Sequence, residues 1–294
     1  MSTADLVRLF SLAAVWGASY SFMRVVAPVF GGIGTMWLRI SIAGLVLLSY
    51  ALATRQDLQF AKWWKHYIFI GMMNSAFPFA LIAFAMKTLP ASYGAILNAM
   101  SPFFAALFAA WMLKERLTAP RLFGMVLGLA GIGIIINLGP IPLNAATLTA
   151  AGATVVATCL YGFIIVYTKK YTLGAPNMGM AVGGLILPAI LTAPAGLLFV
   201  PPVMPATNVV LSLFGLAILC SSIAYLLYYR LIRDVGPTRA ISATFLIPVF
   251  GAAWGAIFFG ETLNSGAIIG GVIVLIGVAL VLGVLPFRRD PMKI

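Results

Sequence analysis

The chain has 294 residues, of which 63% are hydrophobic and only 8% are charged. A soluble domain carries about a quarter charged residues, so the composition excludes an ordinary water-soluble protein. Ten membrane spans of about 20 apolar residues would leave fewer than about 100 residues for connectors and termini. A folded domain outside the membrane is therefore excluded, and we expect no soluble enzyme.

Stretches of apolar residues long enough to cross a bilayer follow one another along the chain. They are separated by charged residues, prolines or glycines, such as Pro28 and the glycines at 31–32. The predicted spans cover about residues 8–28, 32–53, 66–86, 91–112, 120–138, 148–168, 178–200, 209–229, 240–260 and 265–286. This pattern predicts an all-α integral membrane protein of ten transmembrane helices. Cys159 and Cys220 lie within spans, and we expect no disulfide and no metal site.

The basic residues are distributed unevenly among the predicted connectors. Of 18 Lys and Arg residues, only Arg24 and Lys87 fall on the side opposite the termini, and Arg39 lies within the second span. Because basic loops resist export during insertion, both termini are predicted to be cytoplasmic, in a plasma (inner) membrane. The formal net charge of +12 therefore reflects membrane topology, and we expect no nucleic-acid partner.

The chain also contains an internal repeat that includes residues rare in apolar helices. The pairs at a shift of 146 positions include Ser75 with Ser221, Phe79 with Tyr225, Pro102 with Pro248, Phe104 with Phe250 and Glu115 with Glu261. The pairs at a shift of 145 are Trp16 with Tyr161, Gly17 with Gly162 and Arg24 with Lys169. The predicted halves are residues 1–147 and 148–294, each with five spans, and an odd number of spans inverts one half relative to the other. Inverted halves give two related conformations around one central site, as a carrier requires.

Three stretches resemble the ten-span exporters of the drug/metabolite transporter superfamily. They are Trp16 to Tyr20, Ala85 to Leu117, and Ala224 to Leu263. The resemblance covers essentially the whole chain and implies export of small metabolites, often amino acids. It also implies a cavity built by spans 1–4 and 6–9, with spans 5 and 10 peripheral. Within the superfamily, the sequence is most similar to the aromatic amino acid exporters.

Aromatic and small polar residues within the spans are the candidate substrate-binding residues. Aromatic rings beside small polar groups would form a mostly apolar cavity with a few convergent polar groups. The candidates are Trp16, Tyr20, Asn74, Phe79, Asn98, Ser101, Tyr161, Ser221 and Tyr225. Core packing or lipid contact remains the alternative for each aromatic residue, and a hydrogen bond between helices remains the alternative for Asn98.

Two prolines, two glutamates and one arginine are predicted to have other roles. Pro102 and Pro248 each remove a backbone hydrogen bond near mid-span, which predicts symmetric bending points that gate the path or, alternatively, static kinks. Glu115 and Glu261 fall at span ends on opposite sides of the membrane, where they are predicted to latch neighbouring helices. Arg39 either extends to the outer interface or pairs with an anionic substrate group near the outer mouth.

No carboxylate is predicted at the bilayer centre. We therefore predict transport that needs no proton gradient. The aromatic and hydroxyl residues within the spans, together with the resemblance, predict an exporter of aromatic or other apolar neutral amino acids. The alternatives are a proton-coupled multidrug or other metabolite exporter of the same superfamily and, outside transport, a membrane enzyme or a scaffold. The sequence contains no set of residues for catalysis or for metal or phosphate binding, so we expect no catalytic residue, metal or cofactor. The predicted partners are a small-molecule substrate and the lipid bilayer.

Glycines in spans 5 and 10 are spaced for close helix packing, either within the chain or in a dimer. They lie at positions 124, 128 and 131 and at positions 266, 270 and 277. Because one chain already contains both predicted halves, we predict a functional monomer.

Overall fold

The computed structural model describes residues 2–138, 144–235 and 243–281, and within these ranges the chain is helical and has no strand. The helices are α1 (Thr3–Ala53), α2 (Phe60–Ala85), α3 (Ala91–Leu113), α4 (Ala119–Leu138), α5 (Ala145–Tyr171), α6 (Asn177–Leu197), α7 (Thr207–Val235), α8 (Ala243–Phe259) and α9 (Ser265–Val281). Six of these described helices, namely α1, α2, α3, α5, α6 and α7, are long and apolar enough to cross a membrane. Helices α4, α8 and α9 contain apolar stretches of 10–17 residues. The all-helical, multi-span fold class is confirmed, and the count of ten crossings stays a prediction.

Helix α1 contains the first two predicted spans and is broken at Gly31. Its 51 residues would extend about 75 Å if straight, more than twice the hydrocarbon thickness of about 30 Å. Gly31 has a φ of 65°, a left-handed conformation that glycine adopts readily, and Pro28 lacks a backbone donor just before it. The break therefore falls between the predicted spans, and residues 3–30 and 32–53 are called the first and second arms of α1.

The first arm of α1 crosses α8 at a glycine, and α5 crosses α3 in the matching way. A Cβ atom on Gly17 would lie 2.8 Å from the Cβ of Phe250, and one on Gly162 would lie 2.5 Å from the Cβ of Phe104. Larger residues would force both helix pairs apart. The predicted repeat pairs these two glycines with each other and these two phenylalanines with each other, so the crossings join the two predicted halves at equivalent positions. The division at residue 147 itself stays a prediction.

Helix α3 runs from one end of the bundle to the other. The backbone N–H of Ala91, its first residue, donates to Glu261 just beyond the end of α8. The carbonyl of Met112, in its last turn, accepts from Lys170 at the end of α5. Helix α3 is therefore antiparallel to α8 and parallel to α5, as expected if successive spans alternate in direction.

Helices α4 and α9 pack against each other through their glycines. A Cβ atom on Gly124 would lie 2.6 Å from the carbonyl oxygen of Gly277, and one on Gly131 would lie 2.7 Å from that of Gly270. The order of these contacts makes the two helices antiparallel. The glycine faces singled out in the sequence are thus occupied within the chain, and the functional monomer stays a prediction.

Candidate functional site

The second arm of α1 places Arg39 in the interior, where only 4% of the residue is exposed. Its Nε donates to Ser221 Oγ at 2.9 Å, and its Nη2 donates to the Cys220 carbonyl at 3.4 Å. The guanidinium carbon lies 3.7 Å from the centre of the Phe79 ring, a cation–π contact. The expectation that Arg39 extends to the outer interface is wrong, because these groups from α2 and α7 bind it inside the bundle.

Wide π-helical turns shape the two helices that contact Arg39. They cover Met72–Ala76 in α2 and Gly215–Ile223 in α7, and the predicted repeat pairs Ser75 of the first with Ser221 of the second. A π turn replaces the usual backbone bond by one that spans five residues, and such turns are frequent at functional sites. Within the second turn, Ser221 Oγ also donates to the Leu216 carbonyl, five residues earlier, at 3.3 Å. The wide turns therefore bring small polar groups into an apolar core.

Three tyrosines surround the same cation. Tyr20, Tyr161 and Tyr225 all interact electrostatically with Arg39. The Asn74 amide donates to the Tyr225 hydroxyl at 3.2 Å, and the buried Ser75 follows Asn74 in the wide turn of α2. We call the cluster the Arg39 centre, which consists of Tyr20, Arg39, Asn74, Ser75, Phe79, Tyr161, Cys220, Ser221 and Tyr225.

Asn98 lies at the edge of this centre, where α3 is interrupted. The helix is helical over Ala91–Asn98 and again over Ser101–Leu113. The Tyr20 ring lies against Gly94, one helical turn before Asn98, and Asn98 Oδ1 is buried and has no partner among the described residues. Ser101 Oγ donates at 2.9 Å to the Asn98 carbonyl on its own helix. The structure thus places Asn98 close to the Arg39 centre through the packing of Tyr20 against α3.

The remaining predicted residues lie in different surroundings. Trp16 packs on Tyr228, with ring centres 5.5 Å apart. Pro102 is the second residue of the segment of α3 that follows the interruption, whereas Pro248 lies inside α8, which continues through it. The two prolines are thus not equivalent in local structure, and their gating role stays a prediction.

At one end of the bundle, Glu261 binds the start of α3. Its carboxylate accepts from the Ala91 N–H at 2.8 Å, the Ser92 N–H at 3.1 Å and Ser92 Oγ at 2.6 Å. It also forms an ion pair with Arg24, whose guanidinium lies over the Phe259 ring. A carboxylate at a helix N-terminus satisfies otherwise unpaired N–H groups and complements the helix dipole. We call this cluster the Arg24 end.

At the other end, Glu115 follows the last turn of α3. Its carboxylate lies 3.1 Å from Lys169 Nζ and 3.6 Å from Arg121 Nη1. The hydrogen bond from Lys169 is the main cause that lowers the pKa of Glu115. We call this cluster the Lys169 end. The predicted repeat pairs Glu115 with Glu261 and Lys169 with Arg24, so both ends carry an ion pair between the predicted halves.

Two further features lie apart from the ion pairs and the Arg39 centre. A groove of about 400 Å³ on the surface of α2 is lined by Trp64, Lys65, Ile68, Phe69, Met72, Met73 and Phe77. It is separate from the buried Arg39 centre, whose convergent polar groups make the centre the stronger candidate site. Cys159 and Cys220 are free thiols, and the described residues contain no group of three metal-ligating side chains.

Comparisons with known proteins identify the family. The sequence model of the EamA-like transporter family matches the chain twice, over residues 6–137 and 148–283. The PecM protein of Dickeya dadantii is 26% identical over 293 residues, which cover 95% of this chain and 93% of PecM. The "Uncharacterized inner membrane transporter YedA" of Escherichia coli K12 is 27% identical over 289 residues, which cover 96% of this chain and 92% of YedA.

Similarity also extends to a plant protein and to a solved structure. A WAT1-related chloroplast protein of Arabidopsis thaliana is 24% identical over 280 residues, which cover 90% of this chain but only 66% of the plant protein. A crystal structure with 19% identity matches with a TM-score of 0.63 and covers 95% of this chain and 96% of its own, which supports the fold. The superfamily resemblance in the sequence is confirmed. Because both of its halves match the family model, the chain belongs to the EamA-like transporter family of membrane transporters.

Proposed function

We propose that this membrane transporter exports aromatic and other apolar neutral amino acids by alternating access around the Arg39 centre. The observation that carries the proposal is the convergence of both predicted halves on one buried cation. Arg39 and Phe79 belong to the first half, and Tyr161 and Ser221 belong to the second. A site held between two inverted halves is opened to one side of the membrane and then to the other as the halves tilt.

The side chains of the Arg39 centre suit a molecule with an apolar ring and a small polar head. Tyr20 and Phe79 are 4% and 8% exposed, and their rings offer apolar faces and edges for stacking. The hydroxyls of Ser221 and Tyr225 and the amide of Asn74 supply hydrogen-bonding groups beside those rings. An aromatic amino acid combines both chemical parts. The resemblance of the whole sequence to the aromatic amino acid exporters supports the same substrate class.

The Arg39 centre disfavours lipophilic cations, the substrates of the multidrug alternative. A cationic drug would approach the guanidinium of Arg39, and none of the described ion pairs brings a carboxylate to that residue. Like charges in a buried site repel each other strongly because little water screens them. A neutral or zwitterionic solute avoids that repulsion.

The ion pairs at the two ends support alternating access. Arg24 pairs with Glu261, and Lys169 pairs with Glu115, so each pair joins one predicted half to the other. The halves cannot separate at either end unless that end's pair breaks. In this mechanism the two glutamates latch opposite ends of the path, and the interruption of α3 before Pro102 is a bending point between them.

The described carboxylates also support transport without obligatory proton coupling. Glu115 and Glu261 lie at the two ends of the bundle, and neither contacts Arg39. A proton-driven carrier needs a group that titrates in the path between its two states. The substrate would then move down its own gradient.

Counterflow in proteoliposomes tests this function. Purified protein should exchange labelled phenylalanine, tyrosine or tryptophan with no pH gradient, and an imposed gradient should not drive accumulation. Phe79→Ala should slow exchange by about tenfold or more, because the substrate loses an aromatic contact. Phe123→Ala is the matched control, since Phe123 is 56% exposed on α4 and should leave exchange unchanged. Exchange of lipophilic cations alone would instead favour the multidrug alternative.

The proposed orientation places both termini in the cytoplasm of a plasma (inner) membrane. Reporter domains fused after Lys170 should be active on the cytoplasmic side, and those fused after Pro202 should be active on the opposite side. The reverse result would overturn the orientation without affecting the proposed substrate. Counterflow in proteoliposomes that contain at most one chain each would test the functional monomer.

A further inference from the structure

The guanidinium of Arg39 has more hydrogen-bond donors than the protein uses. An arginine side chain carries five N–H groups in a rigid fork. Its recorded bonds use Nε and one N–H of Nη2, to Ser221 Oγ and the Cys220 carbonyl. Among the described residues, Nη1 has no hydrogen-bond acceptor. Both N–H groups of Nη1 and one N–H group of Nη2 therefore remain for hydrogen bonds to another molecule.

The charge of Arg39 is also unpaired within the described part of the chain. The described ion pairs join Asp5, Glu115, Asp234 and Glu261 to other basic residues. Asp57 accepts a hydrogen bond from the Gln59 N–H. The Phe79 ring and the nearby tyrosine oxygens offset only part of the cost of burying a full charge. A bound anion would offset the rest.

An unpaired acceptor lies on the helix that packs against Tyr20. Asn98 Oδ1 is buried and has no hydrogen-bond partner among the described residues. Buried amide oxygens are nearly always paired, so this oxygen is available to accept a hydrogen bond from a bound molecule. Tyr20 lies near Arg39, and its ring packs against Gly94, one helical turn before Asn98. The unpaired donors of Arg39 and the unpaired acceptor of Asn98 thus both lie close to Tyr20.

We infer that Arg39 binds the carboxylate of the transported solute and that Asn98 Oδ1 accepts a hydrogen bond from its ammonium group. This assignment rests on the proposed function and names the two groups that every substrate must present. The planar fork of arginine matches the two oxygens of a carboxylate. The amide oxygen suits an N–H donor and gives no bond to an analogue without one. The aromatic rings then select the side chain.

A purely structural role for Arg39 makes a different prediction. Its bonds to Ser221 and Cys220 tie α1 to the wide turn of α7, so a substitution could loosen the centre as a whole. That effect would weaken the binding of all ligands by the same factor. A binding role changes the ratio between ligands with and without a carboxylate. The ratio therefore separates the two roles even where the variant is less stable.

The experiment measures ligand affinity on purified protein in nanodiscs, in two matched series. One series contains phenylalanine, phenylalaninamide and 3-phenylpropionate, and the other contains leucine, leucinamide and 4-methylpentanoate. In each series, the amide lacks the carboxylate and the acid lacks the ammonium group. The wild type should bind each amide about 10- to 100-fold more weakly than the amino acid, as expected for loss of charged hydrogen bonds.

Two variants should change these ratios independently. Arg39→Gln should bring the ratio of amino acid to amide close to one, and Arg39→Lys should restore part of it. Asn98→Leu should keep that ratio but abolish the preference for the amino acid over the acid that lacks the ammonium group. Lys87→Gln removes a charge from an exposed residue and should change neither ratio.

Each outcome decides the assignment. An unchanged ratio of amino acid to amide in Arg39→Gln would show that Arg39 has a structural role and would overturn the proposal. Failure of every carboxylate in both series to bind the wild type would overturn it as well. If carboxylates bind in an Arg39-dependent way but no aromatic amino acid is transported in counterflow, the proposed substrate class fails and the site stands.

Discussion

The two ends of the bundle carry equivalent ion pairs in different surroundings. At the Arg24 end, the Glu261 side chain is 9% exposed and accepts from Arg24, Ala91 and Ser92. At the Lys169 end, the Glu115 side chain is 35% exposed, and the Lys169 side chain opposite it is 66% exposed. Buried, multiply bonded charges hold helices more firmly than exposed pairs do, because water screens the exposed ones.

The difference indicates which end opens first from this conformation. The start of α3 adds its N–H groups to the ion pair at the Arg24 end, and that end is therefore closed more tightly. The helix start that the repeat pairs with it, near Pro237, lies outside the described residues. We expect the Lys169 end to open more readily, so that the Arg39 centre communicates first with the side of the membrane that faces Lys169.

Among the proposed substitutions, Glu261→Gln should have the largest effect on stability and on the closure of the Arg24 end. The change removes a charge that binds both Arg24 and the start of α3, and we expect a loss of about 2–3 kcal/mol in stability. The Arg24 end should also open. The measurement is the labelling rate of a cysteine placed at position 20, in a background without Cys159 and Cys220, by an impermeant reagent added at that end. A rate no faster than that of the parent would show that Glu261 does not close the path.

Substitution of the glycine should cost similar stability at the two helix crossings, in contrast to substitutions at the two ends of the bundle. Gly17→Ala and Gly162→Ala each place a methyl group within 3 Å of another helix, and each should cost about 1–3 kcal/mol. Thermal unfolding of the purified variants measures the effect. Gly152→Ala is the control on α5, because nothing lies within 4 Å of its added Cβ, so the change should be neutral or stabilising. A large difference between the two crossings would contradict their equivalence.

Glu115→Gln should have a smaller effect than Glu261→Gln. The ion pairs of Glu115 with Lys169 and Arg121 are partly exposed, and ion pairs reached by water contribute about 0–1 kcal/mol. The labelling rate at position 20 from the Lys169 end should rise only slightly, because that end is already held weakly. A loss of stability equal to that in Glu261→Gln would remove the distinction between the two ends.

The smallest expected effect is the change with pH in the stability that the ion pair at the Lys169 end contributes. The hydrogen bond from Lys169 lowers the pKa of Glu115 below 4.5, so the stability from this pair is complete above pH 4.5. That stability is lost as the pH falls through the lowered pKa, because protonation removes the charge that Lys169 binds. The melting temperatures of the wild type and Glu115→Gln should therefore converge below that pKa. A difference that stays constant as the pH falls would show that the pair does not contribute.

Much of the fold could be predicted because it depends on local composition. Bilayer thickness sets the length of an apolar span, and the break between the first two spans was marked by Pro28 and Gly31. The repeat also predicted that Gly17 and Gly162 are equivalent, and the structure places both at matching helix crossings. These features could be found because each depends on a residue type that is rare or conformationally special in an apolar helix.

The candidate site was predicted only in part. Tyr20, Phe79 and Tyr225 were found as polar or aromatic residues within spans, and the structure brings them to one centre. For Arg39 the sequence left open an extension to the outer interface or a contact with an anionic substrate group near the outer mouth, and the π turn at Gly215–Ile223 was missed. The signals present were the paired Ser75 and Ser221 within otherwise apolar helices, but a wide turn has no sequence pattern of its own.

The sequence by itself determined the helical membrane class, the break in α1 and the pairs of equivalent residues, because hydropathy and residue type carry that information along the chain. Only the tertiary structure decided that Arg39 is buried against Ser221 and Phe79 and that Glu261 binds the start of α3. Hydropathy records how costly it is to place a charge in lipid. It does not record which hydroxyl, carbonyl or ring the fold brings within reach of that charge, because those partners lie on other helices, far away in the chain.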